Sequence, residues 1–104
     1  MLVILESPYA GDVERNINYA RVCMRDSLLR GEFPFASHLL YTQEDVLDDN
    51  VPQERMMGID AGLEWGKHAK KTVVYTDFGI SSGMLYGINK ALDENRPIEY
   101  RKLY

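Results

Sequence analysis

The sequence predicts an α/β sandwich built on a mostly parallel sheet of four to five strands. Three observations lead there. Met1–Leu5 and Thr72-Val73-Val74-Tyr75 are short runs, apolar or β-branched at consecutive positions, as strands covered on both faces require. Stretches with apolar residues every three or four positions alternate with such runs, the pattern of helices in βα units. Polar, glycine-bearing segments follow the runs at Ser7–Asp12 and Asp77–Gly83, where the chain must turn from strand to helix.

The elements follow in order. Met1–Leu5 reads as a central strand, and Asp12 as a residue able to cap the helix after it. Val13, Ile17, Ala20, Met24 and Leu28 form the apolar stripe of that helix, which stops at Gly31; Cys23 lies beside the stripe as a small core residue. Phe33–Tyr41 reads as a brief edge strand running into an irregular segment, because Pro34 has no N–H for a ladder. Asp48-Asp49-Asn50 offers a cap and Pro52 a first turn for a helix with its stripe at Met56, Ile59 and Leu63, ending near Lys70. Thr72–Tyr75 is the next strand, Met84, Leu85, Ile88, Ala91 and Leu92 mark a third helix, and Pro97–Tyr100 gives a last short strand. That makes four strands and three main helices in one domain, residues 1–104. A chain of 104 residues buries on the order of 65% of its unfolded surface, enough for a core without metal or disulfide.

Charge and composition exclude several partners. A net charge of −4 repels polyanions, so a nucleic-acid duplex is not an expected partner. The basic cluster Lys67–Lys71, with His68 inside it, suits a helix C-terminus, where cations favour the dipole. No apolar run approaches the ~20 residues needed to span a bilayer, and the single cysteine fits a reducing compartment. The expectation is a cytoplasmic protein with no membrane partner. His38 has no second His or Cys at ligand spacing, so neither a metal nor another cofactor is expected. P-loop, dinucleotide-binding, Cys-x-x-Cys and nucleophile-elbow patterns are absent.

In open parallel sheets, ligands bind beyond the carboxyl ends of strands where crossovers diverge. Ser7–Asp12 and Asp77–Gly83 both meet that description, and Ser81 and Ser82 open a helix whose free N–H groups favour an anion. The plain alternative is that these residues only cap and turn.

The same residues carry a resemblance. Ser7-Pro8-Tyr9-Ala10-Gly11-Asp12 with Asn16, Pro34–Tyr41 around His38, Glu54-Arg55 followed by Gly58, and Ile80-Ser81-Ser82-Gly83-Met84 together resemble the small phage and bacterial domains related to nucleoside 2-deoxyribosyltransferases. The likeness spans nearly the whole chain. It implies a flavodoxin-like three-layer sandwich, a pocket for a nucleoside or nucleotide, and a homo-oligomer whose neighbouring subunit completes that pocket. It also implies ligand contacts at Ser7, Tyr9, Gly11, Asp12, Asn16, His38, Arg55, Asp77, Ser81, Ser82, Gly83 and Met84.

One departure matters. The transferases place a nucleophilic glutamate in a pattern resembling Ser-x-Gly-Met-x-x-Glu, whereas Ser81-Ser82-Gly83-Met84-Leu85-Tyr86 is followed here by Gly87. The next acid on that helix is Asp93, nearly three turns on at 1.5 Å rise per residue. The expectation is retained binding with lost transferase chemistry: a protein that holds, and in a phage setting sequesters, a nucleotide made by the host's immune signalling, working in the host cytoplasm as a sponge against defence. The alternative is a deoxyribosyltransferase or N-glycoside hydrolase in which Asp77 or Glu6 replaces the missing glutamate, since such chemistry needs carboxylates across one sugar. A protein–protein adaptor with a vestigial pocket is a third reading.

Individual residues keep two readings each. Asp77 either accepts ribose hydroxyls or caps a helix, and Asp12 divides the same way. Tyr9 either stacks on a base or packs in the core. Arg55 either forks onto a phosphate or pairs with Glu54 or Asp60. Trp65 and Met57 serve packing or a subunit interface. The C-terminal Glu99–Tyr104 packs on its own subunit or reaches a neighbour's pocket.

Overall fold

The computed structural model describes residues 1–104 as strands β1 (Leu2–Glu6), β2 (Phe33–Phe35), β3 (Lys71–Tyr75) and β4 (Ile98–Arg101) with helices α1 (Val13–Leu29), α2 (Ser37–Leu40), α3 (Pro52–Gly66) and α4 (Ser82–Asp93). All four strands are parallel, in the order β2-β1-β3-β4. Right-handed crossovers then place α1, which steps from β1 to β2, on one face, and the α3 and α4 connections, which step back across the sheet, on the other. The result is the expected three-layer, flavodoxin-like α/β sandwich.

Side-chain alternation along β1 and β3 separates two cores. Val3, Leu5, Val73 and Tyr75 point toward α1 and meet Tyr19, Cys23 and Ala36, whereas Val74 faces α4 and packs on Met84 and Ile88. The strand that looked uniformly apolar as far as Leu5 runs one residue further. Glu6 continues it, on the α4 side that Ile4 also faces.

The helix ends are partly as the sequence predicts. Asp12 accepts the Arg15 N–H at 3.2 Å and caps α1, and Gly31 leaves the helix at φ +86°. Ser81 caps α4 by accepting the Met84 N–H at 3.3 Å, while its own N–H donates to Met84 Sδ at 3.3 Å. Three details differ. The segment after β2 is helical rather than irregular, as α2. The α3 cap is Val51, with Pro52 in its first turn, because Asp48 and Asn50 turn on each other (Asn50 N–H to Asp48 Oδ1, 2.9 Å) and leave no side chain to cap. And α3 stops at Gly66 rather than near Lys70, so Lys67, Ala69 and Lys70 form the turn into β3 and Lys71 enters the sheet.

The apolar stripes are also only partly buried. Leu28, Leu85 and Leu92 are exposed, as are Met56 and Met57 on α3. What α3 buries is Gly62 and Gly66, with Gly58 half-buried on the same face one turn earlier. A Cβ at Gly62 would lie 2.5 Å from Ser37 Oγ and 2.7 Å from Ser37 Cβ, so α2 sits directly against the α3 backbone. Gly62→Ala should therefore destabilise by about 1–2 kcal/mol, through overpacking. Gly58→Ala, where the nearest atom would be an ordinary 3.4 Å away at Leu47 Cδ1, should be neutral or stabilising. Urea denaturation of the two variants checks the contrast. Trp65, further along α3, stacks on Phe35 at 5.1 Å and donates its indole N–H to Tyr41 Oη at 2.9 Å.

The C-terminal residues fold onto their own chain. Arg101 ends β4 buried, and Leu103 packs against the α1-side core. No helix is long and apolar enough to cross a membrane.

Candidate functional site

A cavity of about 90 Å³ lies beyond the carboxyl end of β1, walled by α2, α3 and the start of α4. It occupies the point where the crossovers diverge on either side of β1, as the parallel-sheet rule requires. Strand alternation sends Ile4 and Glu6 into it from below, and the turn after β1 brings Ser7 and Tyr9 to its rim. The α2 side supplies His38, α3 supplies Arg55, and Ser81, Ser82, Gly83 and Met84 enter from the N-terminus of α4.

Eight of the predicted contact residues thus line one cavity: Ser7, Tyr9, His38, Arg55, Ser81, Ser82, Gly83 and Met84. Four do not. Asn16 is buried behind the rim and donates its amide to the carbonyls of Tyr9 (2.9 Å) and Ala10 (3.2 Å), holding the β1–α1 turn in place. Gly11 supplies the positive φ of +98° in that turn. Asp12 is the α1 cap. Asp77 lies on the α1 side, where its carboxylate accepts from the Tyr19 hydroxyl at 2.5 Å and from the backbone N–H groups of Leu103 and Tyr104 at 3.0 Å each. It is therefore neither a helix cap nor a cavity residue, and the place reserved for it as a substitute nucleophile is not where it stands. Burial pushes its carboxyl upward, but the bonds from Tyr19 and from the backbone outweigh that and hold it below the ordinary range.

Charge in the cavity is unevenly distributed. Ser7 Oγ and His38 Nε2 are 2.6 Å apart, and burial lowers the His38 pKa to about 4, so the imidazole is neutral and the pair shares a single proton. Glu6 is half-buried and makes no hydrogen bond within the chain. Burial raises its carboxyl to about 8, with Arg96 pulling in the other direction. Arg96 is itself occupied, donating to Thr72 Oγ1 at 3.0 Å, the Gly66 carbonyl at 2.7 Å and Glu94 Oε1 at 3.2 Å. At neutral pH the cavity therefore carries an uncharged acid and an uncharged imidazole, with the Arg96 guanidinium also in its wall. Arg55 and the start of α4 also face the cavity; there Ser81 takes the Met84 and Leu85 N–H groups, which leaves those of Ser82 and Gly83 without an acceptor in the chain.

The position of Glu6 explains Gly87. A Cβ at residue 87 would lie 2.5 Å from Glu6 Cδ and 2.9 Å from Oε1, so the carboxyl of β1 occupies the space that a side chain on α4 would enter first. Gly87→Ala should destabilise by about 1–2 kcal/mol in the natural sequence and by much less in the Glu6→Ala background. The double-mutant cycle, read by thermal or chemical denaturation, tests the contact.

Sequence reasoning missed Arg96 altogether and gave Glu6 only a substitute's part. Glu6 had a signal, since period-two continuation from Ile4 puts it on the same face. Arg96 had none, because it sits in the turn before Pro97 and reaches the site only through tertiary packing.

Residues 1–101 match the family described as a domain of unknown function, DUF7768. Among solved structures, the fold is similar to a 2-deoxyribosyltransferase from the psychrotolerant bacterium Bacillus psychrosaccharolyticus, with a TM-score of 0.65 and 16% identity over 98% of this chain and 72% of that one. At that identity the likeness is one of fold. No curated protein matches the sequence.

Proposed function

The chain belongs to the DUF7768 domain family, and we propose that it binds a nucleoside or nucleotide-derived small molecule in the β1–α3–α4 cavity without cleaving it. The observation that carries this reading is the glycine at position 87, packed against Glu6. The transferases this sequence resembles attack the sugar with a glutamate on that helix; here the helix has no side chain at the position, and the acid nearest to it is Glu6, kept protonated at neutral pH. A protonated carboxyl is not a nucleophile. The fold shared with a 2-deoxyribosyltransferase supports the ligand class. An anionic group fits at Arg55 and the N–H groups that open α4, with the uncharged part of the ligand toward Ser7, His38 and Glu6. Holding a nucleotide without turnover is the property that a sequestering protein needs.

One observation favours turnover instead. An acid that carries its proton at neutral pH is the form able to protonate a departing nucleobase, so Glu6 is the residue on which N-glycoside cleavage would depend. A single experiment separates the two. Purified protein is heated, the released small molecules are identified by mass spectrometry, and the protein is separately incubated with a panel of nucleosides, nucleotides and cyclic nucleotides under the same readout. Recovery of an intact nucleotide, or a thermal shift with a panel member that is returned unchanged, is expected. Free base or exchanged sugar, lost in Glu6→Gln, would put the enzyme reading in its place.

A further inference from the structure

We propose that Glu6 meets the ligand as an uncharged carboxylic acid, donating a hydrogen bond to a neutral acceptor such as a nucleobase carbonyl or ring nitrogen, and so determines which part of the ligand enters that end of the cavity. The proposal rests on the binding reading above and deepens it. Its ground is the surroundings of the carboxyl. The β1 alternation aims Glu6 into the cavity, and the bare backbone of Gly87 gives it room. No donor of the chain reaches it. An ionised glutamate in such a place would take bonds from N–H or O–H groups, and none is offered.

The groups around it agree. From the segment after α4, Arg96 is the cation acting on Glu6, but its Nε and Nη1 are committed to Thr72, Gly66 and Glu94, the last of which offsets its charge. From α2, His38 is neutral and bonded to Ser7. From α3, Arg55 lines the wall, with Asp49 of the α2–α3 loop lining the same cavity; from α4 comes Tyr86, and from the β1–α1 turn Tyr9. None of these is hydrogen-bonded to the Glu6 carboxyl. A ligand acceptor placed there would receive the proton's hydrogen bond, whereas a ligand anion would meet an acid that no donor of the chain partners.

The test uses the full chain with adenosine and cytidine, and their 5′-monophosphates, as probes. Calorimetric affinities are measured from about pH 6.5 to about pH 9.5 for the natural sequence and for Glu6→Gln, whose amide keeps a donor but does not titrate in this range. The expected result is near-constant affinity below pH 8, falling by about tenfold per pH unit above it. Glu6→Gln should lose that alkaline decline. A flat profile in the natural protein, affinity that rises with pH, or an alkaline decline that persists in Glu6→Gln would each overturn the proposal while leaving nucleotide binding in place. Failure of every probe to bind at any pH would instead remove the binding reading, and this proposal with it.

Discussion

Arg101→Ala should destabilise the protein by about 3–5 kcal/mol, the range for removing one partner of a buried ion pair, and lower Tm by more than about 10 °C. The guanidinium is 4% exposed and forks onto Glu32, Nη1 to Oε1 at 2.8 Å and Nη2 to Oε2 at 2.6 Å, while its Nε pairs with Glu99 and Nη1 also reaches the Tyr75 hydroxyl at 3.0 Å. Without it, the Glu32 carboxylate keeps Lys71 (3.1 Å) and the Ser27 hydroxyl (2.8 Å) but stays buried with its bidentate partner gone. The ladder of bonds joins the end of α1, the entry to β2, the start of β3 and the end of β4, so one residue couples both halves of the sheet. Acid should have a related effect. Arg101 first, opposed by burial and aided by Ser27 and Lys71, holds the Glu32 carboxyl at about 2. A depressed carboxyl contributes stability that is present above the ordinary glutamate pKa near 4.5 and is lost as pH falls toward 2. Urea midpoints of the natural protein should drop across that window, and Glu32→Gln, already weakened, should drop less.

Glu6→Gln should do the opposite at neutral pH and stabilise by about 2 kcal/mol, a value that discounts for its partial contact with solvent. Its folded pKa, near 8, is above the unfolded value of 4.5, so the folded state holds a proton that the unfolded chain releases. The stability linked to that proton is complete below pH 4.5 and lost as pH rises toward 8. The amide variant has no such dependence. Chemical denaturation of both proteins between pH 5 and about pH 8.5 should give curves that separate steadily with rising pH; parallel curves would show that Glu6 titrates as an ordinary glutamate. An acid held at a net cost to stability at neutral pH is what the hydrogen-bond-donating role proposed for Glu6 requires.

How much of this was legible in the sequence depended on range. Local rules found the strands, the Asp12 and Ser81 caps and the glycine at the end of α1, because each depends on neighbours a few residues away. The two polar loops also pointed to the end of the sheet where the cavity lies, and eight predicted residues line it. Long-range pairing was not legible. Arg101 finds Glu32 across 69 positions, and Asp77 is taken up by Tyr19, 58 positions away, and by the last two residues of the chain. No periodicity announces such partners. The α3 helix misled for another reason: Met56 heads its apolar stripe yet is exposed, while Ile59 and Leu63 line the cavity and the buried positions are Gly62 and Gly66, which apolar-pattern reading passes over.

The central place of β1 has a consequence for how the chain is made. It precedes the other strands of this sheet in the chain, yet its register with β3 pairs Leu5 with Val73, and β2 and β3 flank it on either side. Until β3 has been synthesised, one edge of an almost wholly apolar strand has nothing to close it, and the entropy of bringing such distant segments together opposes early pairing. The growing chain thus carries a sticky, half-finished sheet until β3 has been made, and the sheet is completed only when β4 follows.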